Sequence, residues 1–396
     1  METVNKKYIV TAQVLTPLSI GQGSEKDWAY GVDFLTQQDD EGKQWLYHLC
    51  IDKMIAAGVD LDKLSKYFAA GRPEDIKNLI GSKLTQVSDF KMPLPVASVQ
   101  GLANPIKTFL RNPLTNHPVL AGSSLKGAIR SILFTYLAKE VNKRELKEER
   151  NPNAYIFGDM KEGTDFMRFI RVGDFEFTDT CLVNTKIYNL QGAEHNWQGG
   201  WKHSGKNTSD TFNPIGFNTI YECLPPGATA EGSIMFADIL FKQIDRLIPQ
   251  NNRKKDIFND PDFSPWENIC DIINNHTLDY LEKERVFFEK YGQAQNAQQI
   301  KDVLVRLYNA TNDCIETDSC ILKMSAGAGF HSITGDWQFD DYAIDSVTLK
   351  RNGGTDKSFG YNVYGEKSQS AKSRKIAVSG SKAFSPMGFV KLTFNH

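Results

Sequence analysis

Ala121-Gly122-Ser123-Ser124-Leu125-Lys126-Gly127-Ala128-Ile129-Arg130 has the make-up of a phosphate-binding turn. A glycine ahead of a helix lets the backbone come close to a ligand, and the free N–H groups of the first helical turn attract an anion. Lys126 and Arg130 add cationic donors four residues apart, on one helix face. The order is not that of a Walker A loop, which needs four residues between its first glycine and a Gly-Lys pair. A capped structural helix with two solvated cations explains the same residues.

Two further segments interleave aromatics with cations, a pattern that suits single-stranded RNA because bases stack on rings while ammonium groups meet phosphates. One is Trp197 to Lys206, with Trp201, Lys202, His203 and Lys206, and with Tyr188 and His195 nearby. The other holds Tyr361, Tyr364, Lys367, Lys372, Arg374 and Lys375. Tryptophans docked on their own protein, and a basic loop facing an acidic one, are the competing explanations. Gly327-Ala328-Gly329 begins like a dinucleotide fingerprint, but position 332 is Ser, so no Rossmann site is expected. His195, His203 and His331 invite an acid–base role, yet no spacing pairs any of them with a second catalytic group. Asp27 and Asp33 follow an earlier glycine turn and are assigned no cleavage role. The six cysteines include no CxxC pair, which argues against zinc, and no metal or cofactor is expected.

These residues need elements to hold them. Tyr8 to Leu15 has the alternation of a first strand, ended by Pro17 and Gly21-Gln22-Gly23. Strands are expected at 30–36 and 45–51 around an Asp39-Asp40-Glu41-Gly42 hairpin, then short helices at 60–70 and 73–80. The clearest helix starts at Ser123 or Ser124, which would serve as N-cap, and runs to about Glu149. Strands follow at 166–177, 181–189, 218–224 and 228–236, the last two joined by a Pro225-Pro226-Gly227 hairpin turn. A helical block covers 265–288 and 293–310, and a final strand 389–394. Polar stretches at 198–211 and 351–381 read as exposed loops. Strands and helices on separate stretches indicate an α+β fold.

The 396 residues carry 46 basic and 48 acidic side chains, a net charge of −2 that excludes a histone-like protein. The charge is segregated: +3 over 121–150, +6 over 350–382 and −6 over 312–346. Such a chain is expected to hold RNA firmly only within an assembly, and weakly and salt-sensitively alone. No signal peptide and no run of 18 apolar residues is evident, so a cytoplasmic protein with reduced thiols and no membrane partner is expected.

Gly122-Ser123-Ser124-Leu125-Lys126-Gly127-Ala128-Ile129-Arg130 resembles the signature of the RAMP superfamily of CRISPR proteins. Thr16-Pro17-Leu18-Ser19-Ile20-Gly21-Gln22-Gly23 resembles that family's opening strand and glycine turn, and Ile170-Arg171-Val172-Gly173-Asp174 its post-helix strand. Gly327-Ala328-Gly329-Phe330-His331-Ser332 is similar to its second glycine loop, and Pro386-Met387-Gly388-Phe389-Val390-Lys391-Leu392 to its C-terminal strand. The chain departs from the pattern at Phe389, where the family often has Trp, and at Ala326-Gly327-Ala328, where bulkier residues are usual. Length and terminal motifs resemble most the fifth-subunit family of the type III-A Csm effector, which caps the backbone filament.

The resemblance implies two ferredoxin-like, RRM-related domains with helical and loop insertions, divided as 1–230 and 231–396 with the helical block in the second. It implies a non-catalytic subunit that binds CRISPR RNA at the 3′-side end of an antiviral interference complex and supports guide maturation. Its partners would be CRISPR RNA, backbone RAMP subunits, target RNA through guide pairing, and maturation nucleases. Carried over to this chain, Ser123, Ser124, Lys126 and Arg130 grip the guide, helped by Gly21, Gly23, Gly327 and Gly329. Trp201, Lys202, Lys206, Lys372, Arg374 and Lys375 join them from the two aromatic and basic segments. The alternatives are a metal-independent endoribonuclease that processes CRISPR RNA, or another RAMP subunit of a type III effector.

Overall fold

The computed structural model describes residues 6–95, 102, 104–139, 141, 146, 151–193, 196–204, 208–237, 265–324, 326, 348–351, 361–364, 373–379 and 383–395. Strand β1 (Lys6–Val14) leads into an inserted unit made of β2 (Phe34–Gln38), β3 (Gln44–Leu49), helices α1 (Ile51–Ala56), α2 (Leu61–Ala69), α3 (Pro73–Ile80) and β4 (Ser88–Pro93). After β5 (Val119–Leu120) come α4 (Gly122–Ala138), α5 (Pro152–Phe157), β6 (Ile170–Val172) and β7 (Phe175–Glu176). A run of strands follows: β8 (Cys181–Ala193), β9 (Asn196–Lys202), β10 (Thr208–Ser209), β11 (Thr219–Cys223) and β12 (Thr229–Phe236). Two long helices, α6 (Pro265–Tyr291) and α7 (Ala297–Asn312), precede β13 (Ser319–Lys323), β14 (Thr348–Arg351), β15 (Tyr361–Tyr364), β16 (Ser373–Ser379), β17 (Ala383–Pro386) and β18 (Phe389–Asn395).

The first large sheet has the order β13-β18-β1-β12-β6, antiparallel throughout. Alternation explains why β1 is central: Tyr8, Val10, Ala12 and Val14 all point to one buried face. Leu125, Ile129, Ile132 and Leu133 of α4, and Trp266, Ile269 and Ile273 of α6, cover that face and share its core. The path β1-α4-β6-β12-α6-β18 is strand–helix–strand–strand–helix–strand, with its four strands ordered 4-1-3-2. The second sheet runs β10-β9-β8-β16-β17, with β11 also on β8. It packs with α7 and the end of α6 around Tyr188, Trp201, Leu304 and Phe384. The chain is therefore α+β with antiparallel sheets.

Several expectations change. A domain boundary at 230/231 would fall inside β12 and part β1 from both its neighbours, β12 and β18. The second sheet likewise joins β8 to β16 across the chain, so both sheets draw on both halves. The Pro225-Pro226-Gly227 turn makes no hairpin, because β11 pairs with β8 and β12 with β1. The stretch 198–211 is not a loop; β9 and β10 occupy most of what is described of it, pairing Thr208 with Lys202 and Ser209 with Trp201. The described parts of 351–381 likewise include β15 and β16. Helix α4 ends at Ala138 rather than near Glu149, and 166–169 form a 3-10 turn ahead of β6. Strands β4, β13, β16 and β17 are additions to the expected set.

Candidate nucleic-acid interface

Three segments far apart in sequence meet beside the end of β1. Thr16 Oγ1 accepts from Phe389 N at 3.0 Å, and Gly388 N donates to Pro17 O at 2.9 Å. Met324 N donates to Gly388 O at 2.8 Å and Ala326 N to Ser19 O at 3.3 Å. Gly388 has φ +89°, a left-handed turn that glycine adopts without strain. The opening glycine turn, the segment after β13 and the C-terminal strand are thus one structural unit.

The first two of these border a cleft of about 700 Å³. Gly21 and Gly23 line it from the glycine turn, and Ser124, Gly127, Ala128 and Ser131 from α4. Asp27, Lys107 and Tyr221 line it from the segments beside β11, and Lys323, Met324 and Ala326 from the end of β13. A Cβ at Gly21 or Gly127 would meet nothing within 4 Å, so both glycines face open space. Gly122 is different: its Cβ would come to 2.2 Å from Val172 O, so glycine is what lets α4 pack on β6.

The start of α4 is already occupied. Its N-cap is Ala121, with no side-chain cap from either serine, and the Asp174 carboxylate accepts from Gly122 N at 2.7 Å. Asp174 belongs to the Ile170–Asp174 motif, so that motif caps the signature helix and fills the place expected for a phosphate.

A helix turns by about 100° per residue, which sets Lys126 about 160° and Arg130 about 120° round the axis from Ser124. Neither lines the cleft. Arg130 pairs with Asp165 at 3.1 Å and lies 4.3 Å from the Phe157 ring centroid. Burial lowers the Lys126 pKa, Asp165 opposing this and Arg130 and Arg171 adding to it. Ser123 is exposed on the same side of the helix.

The cleft has cations that sequence reasoning missed. Lys107 is bound to Asp27, whose other oxygen accepts from Thr108 N at 3.4 Å. Lys323 Nζ donates to the Tyr280 hydroxyl at 2.5 Å, and burial pushes its pKa down to about 8. Lys375, one of the expected site residues, donates to the Tyr221 hydroxyl at 2.6 Å with its Nζ 4.6 Å from that ring's centroid. The one signal available in advance was Gly127, a helix-disfavouring residue inside the signature helix.

Two other expected residues are in the interior. Trp201 is fully buried, donates from Nε1 to Gln295 O at 2.7 Å, and packs edge-on to Tyr188 and Phe212. Its indole is a core side chain, not a platform for RNA bases. Arg374 is buried too, with Nε and Nη2 on the two Glu284 oxygens at 3.2 and 3.0 Å and its guanidinium 3.5 Å from the Phe287 centroid. Lys202 is half-buried over the Phe217 ring at 4.3 Å. His203 Nε2 is 2.9 Å from Thr211 O, away from the cleft lining. Lys206, Gly327, Gly329 and Lys372, with His195 and His331, lie outside the described residues. Among the described residues no group of three His, Cys, Asp or Glu is placed to hold a metal ion, and no helix is long and apolar enough to cross a membrane.

The model of the RAMP superfamily matches residues 11–250, and the chain belongs to that superfamily. Its fold is similar over 98% of its length, at 16% identity and TM-score 0.60, to a whole chain of a Csm–crRNA–target RNA ternary complex of a type III-A CRISPR-Cas system. It is equally similar, with TM-score 0.60, 15% identity and coverage of 96% of this chain and 99% of the other, to Csm5 from T. onnurineus. No curated protein sequence matches it.

Proposed function

We propose that this chain is a non-catalytic RNA-binding and assembly subunit of a type III-A CRISPR effector in the cytoplasm. In this reading it caps the 3′-side end of the backbone filament, touches a neighbouring RAMP subunit and supports guide maturation. Target RNA meets the complex through pairing with the guide, while the protein holds the backbone. Likeness to a Csm-complex chain and to Csm5 over the whole length supports the seat. The 4-1-3-2 sheet is read as one ferredoxin-like module whose fourth strand is β18, and the second sheet as a divergent partner module.

One observation carries the RNA-binding part. Gly127 sits inside α4, where glycine costs about 1 kcal/mol relative to alanine. No atom within 4 Å of its missing Cβ explains the cost, and it faces a cleft lined by lysines. A close-fitting ligand explains it. Gly127→Ala is expected to leave the thermal midpoint unchanged or raised, while Gly127→Leu lowers the RNA retained by the purified complex about tenfold, on the order of 1.4 kcal/mol. Full RNA retention by a folded Gly127→Leu complex would refute this use of the cleft. Specific cleavage of precursor RNA by the purified chain in EDTA would favour the endoribonuclease reading.

A second expectation concerns pH. With a pKa of about 8, Lys323 is charged at pH 7 and mostly neutral at pH 9. An anion binds the charged form, so RNA affinity is expected to fall about tenfold between these values if phosphate restores an ordinary lysine pKa. Lys323→Arg, charged throughout, should flatten the profile. A wild-type profile as flat as that of the arginine variant would remove Lys323 from the interface. The same lowered pKa makes folding stability rise as pH passes from about 8 towards the unfolded lysine value, where the unfolded chain holds the extra proton.

A further inference from the structure

We propose that the cleft holds a single unpaired nucleotide of the RNA, its base laid on the Tyr221 ring without regard to base identity. This rests on the RNA-binding function above and adds what is bound and how. The volume of about 700 Å³ falls within the range of pockets that enclose one small molecule, about 300–1,000 Å³, and no A-form duplex fits such a space.

Tyr221 is the aromatic side chain in the lining. Lys375, which is not part of that lining, donates to the ring's hydroxyl at 2.6 Å with its Nζ 4.6 Å from the centroid. Tyr221 is offered as the stacking partner for a base in the cleft, where Ile20, Ala128 and Met324 supply apolar lining. The open position at Gly127 leaves room beside Ser124, Ala128 and Ser131, the other α4 residues that line this space.

Indifference to base identity follows from how the polar groups are engaged. The Asp27 carboxylate is taken by Lys107 and Thr108 N, and the Ser131 hydroxyl donates to Gly127 O at 3.0 Å. This leaves the Ser19, Ser24 and Ser124 hydroxyls, which can both donate and accept and so do not by themselves select one base, whereas every base has a face to stack. Lys323, at the same cleft, is placed for the flanking phosphate. Such a site suits a guide whose sequence varies.

The test uses the assembled complex loaded with guide RNAs that carry 2-aminopurine at one position at a time. At one position of the 3′ half the fluorescence should be quenched by stacking on Tyr221, whichever bases flank it. Tyr221→Leu should abolish that quenching and weaken the retained RNA about tenfold, the order expected for one stacked base. Tyr221→Phe, which loses the Lys375 bond and keeps the ring, should preserve the quenching and shows that the site still folds. Loss of quenching in Tyr221→Phe as well as Tyr221→Leu would overturn the stacking role. Absence of any quenched position in a complex that retains its RNA overturns this inference and leaves the RNA-binding function standing. A complex that assembles with this chain and without RNA contact to it overturns both.

Discussion

Glu222→Ala is expected to destabilise the chain by about 3–5 kcal/mol, the range for removing one partner of a buried ion pair. Glu222 is fully buried at the end of β11. One carboxylate oxygen accepts from Phe109 N at 2.8 Å, and the other accepts from Thr180 Oγ1 at 2.6 Å and from the Arg111 guanidinium. Alanine would strand a buried backbone N–H and take the charge partner from a guanidinium that is 22% exposed and keeps only Asn116 O and Thr180 Oγ1 as acceptors among the described residues. The damage should reach the cleft, because Glu222 N also donates to Lys107 O at 2.7 Å and Lys107 N to Ile220 O at 2.9 Å. Glu222→Gln keeps the shape and some of the hydrogen bonds but loses the charge, and about 1.5–3 kcal/mol is expected for it. Urea unfolding followed by circular dichroism measures both. A Glu222→Ala midpoint equal to wild type would show that the clamp contributes nothing.

Arg374→Ala should cost a similar amount, about 3–5 kcal/mol, by leaving Glu284 charged and buried. The two residues are 90 apart in sequence and tie β16 to α6 through two charge-assisted hydrogen bonds, with Phe287 beneath the guanidinium. An arginine that gripped RNA would give another result: an unchanged unfolding midpoint, weaker RNA retention and a salt dependence shallower by about one unit of slope. Replacing both partners, as Arg374→Met with Glu284→Leu, should recover most of the stability because both charges leave the interior together. Failure of the double replacement to recover any stability would locate the loss in packing against Phe287 instead.

These two residues mark where sequence reasoning stops. Composition alone points to Arg374 and Trp201, because arginine and tryptophan among cations and aromatics suit RNA contact. Each has a partner that no local pattern reveals, Glu284 in α6 for one and Gln295 O beyond the end of α6 for the other. Lys126 and Arg130 were correctly placed on one helix face, but only the packing of α4 decides that this face turns to Asp165 and Phe157 instead of the cleft. The phosphate expected at the start of α4 gives way to Asp174, a carboxylate from a motif whose sequence indicates only a strand.

The sequence by itself determined the α+β class, most strands and helices, the segregation of charge and the motifs of the RAMP superfamily, because periodicity and turn chemistry act over a few residues. Tertiary structure alone decided that β1 lies between β12 and β18, that the opening glycine turn, α4 and the end of β13 meet at one cleft, and that Lys107, Tyr221 and Lys323 line it. Strand pairing and burial depend on contacts between residues tens to hundreds of positions apart. So does the lowered pKa of Lys323, which comes from its burial at a place where β13 meets α6.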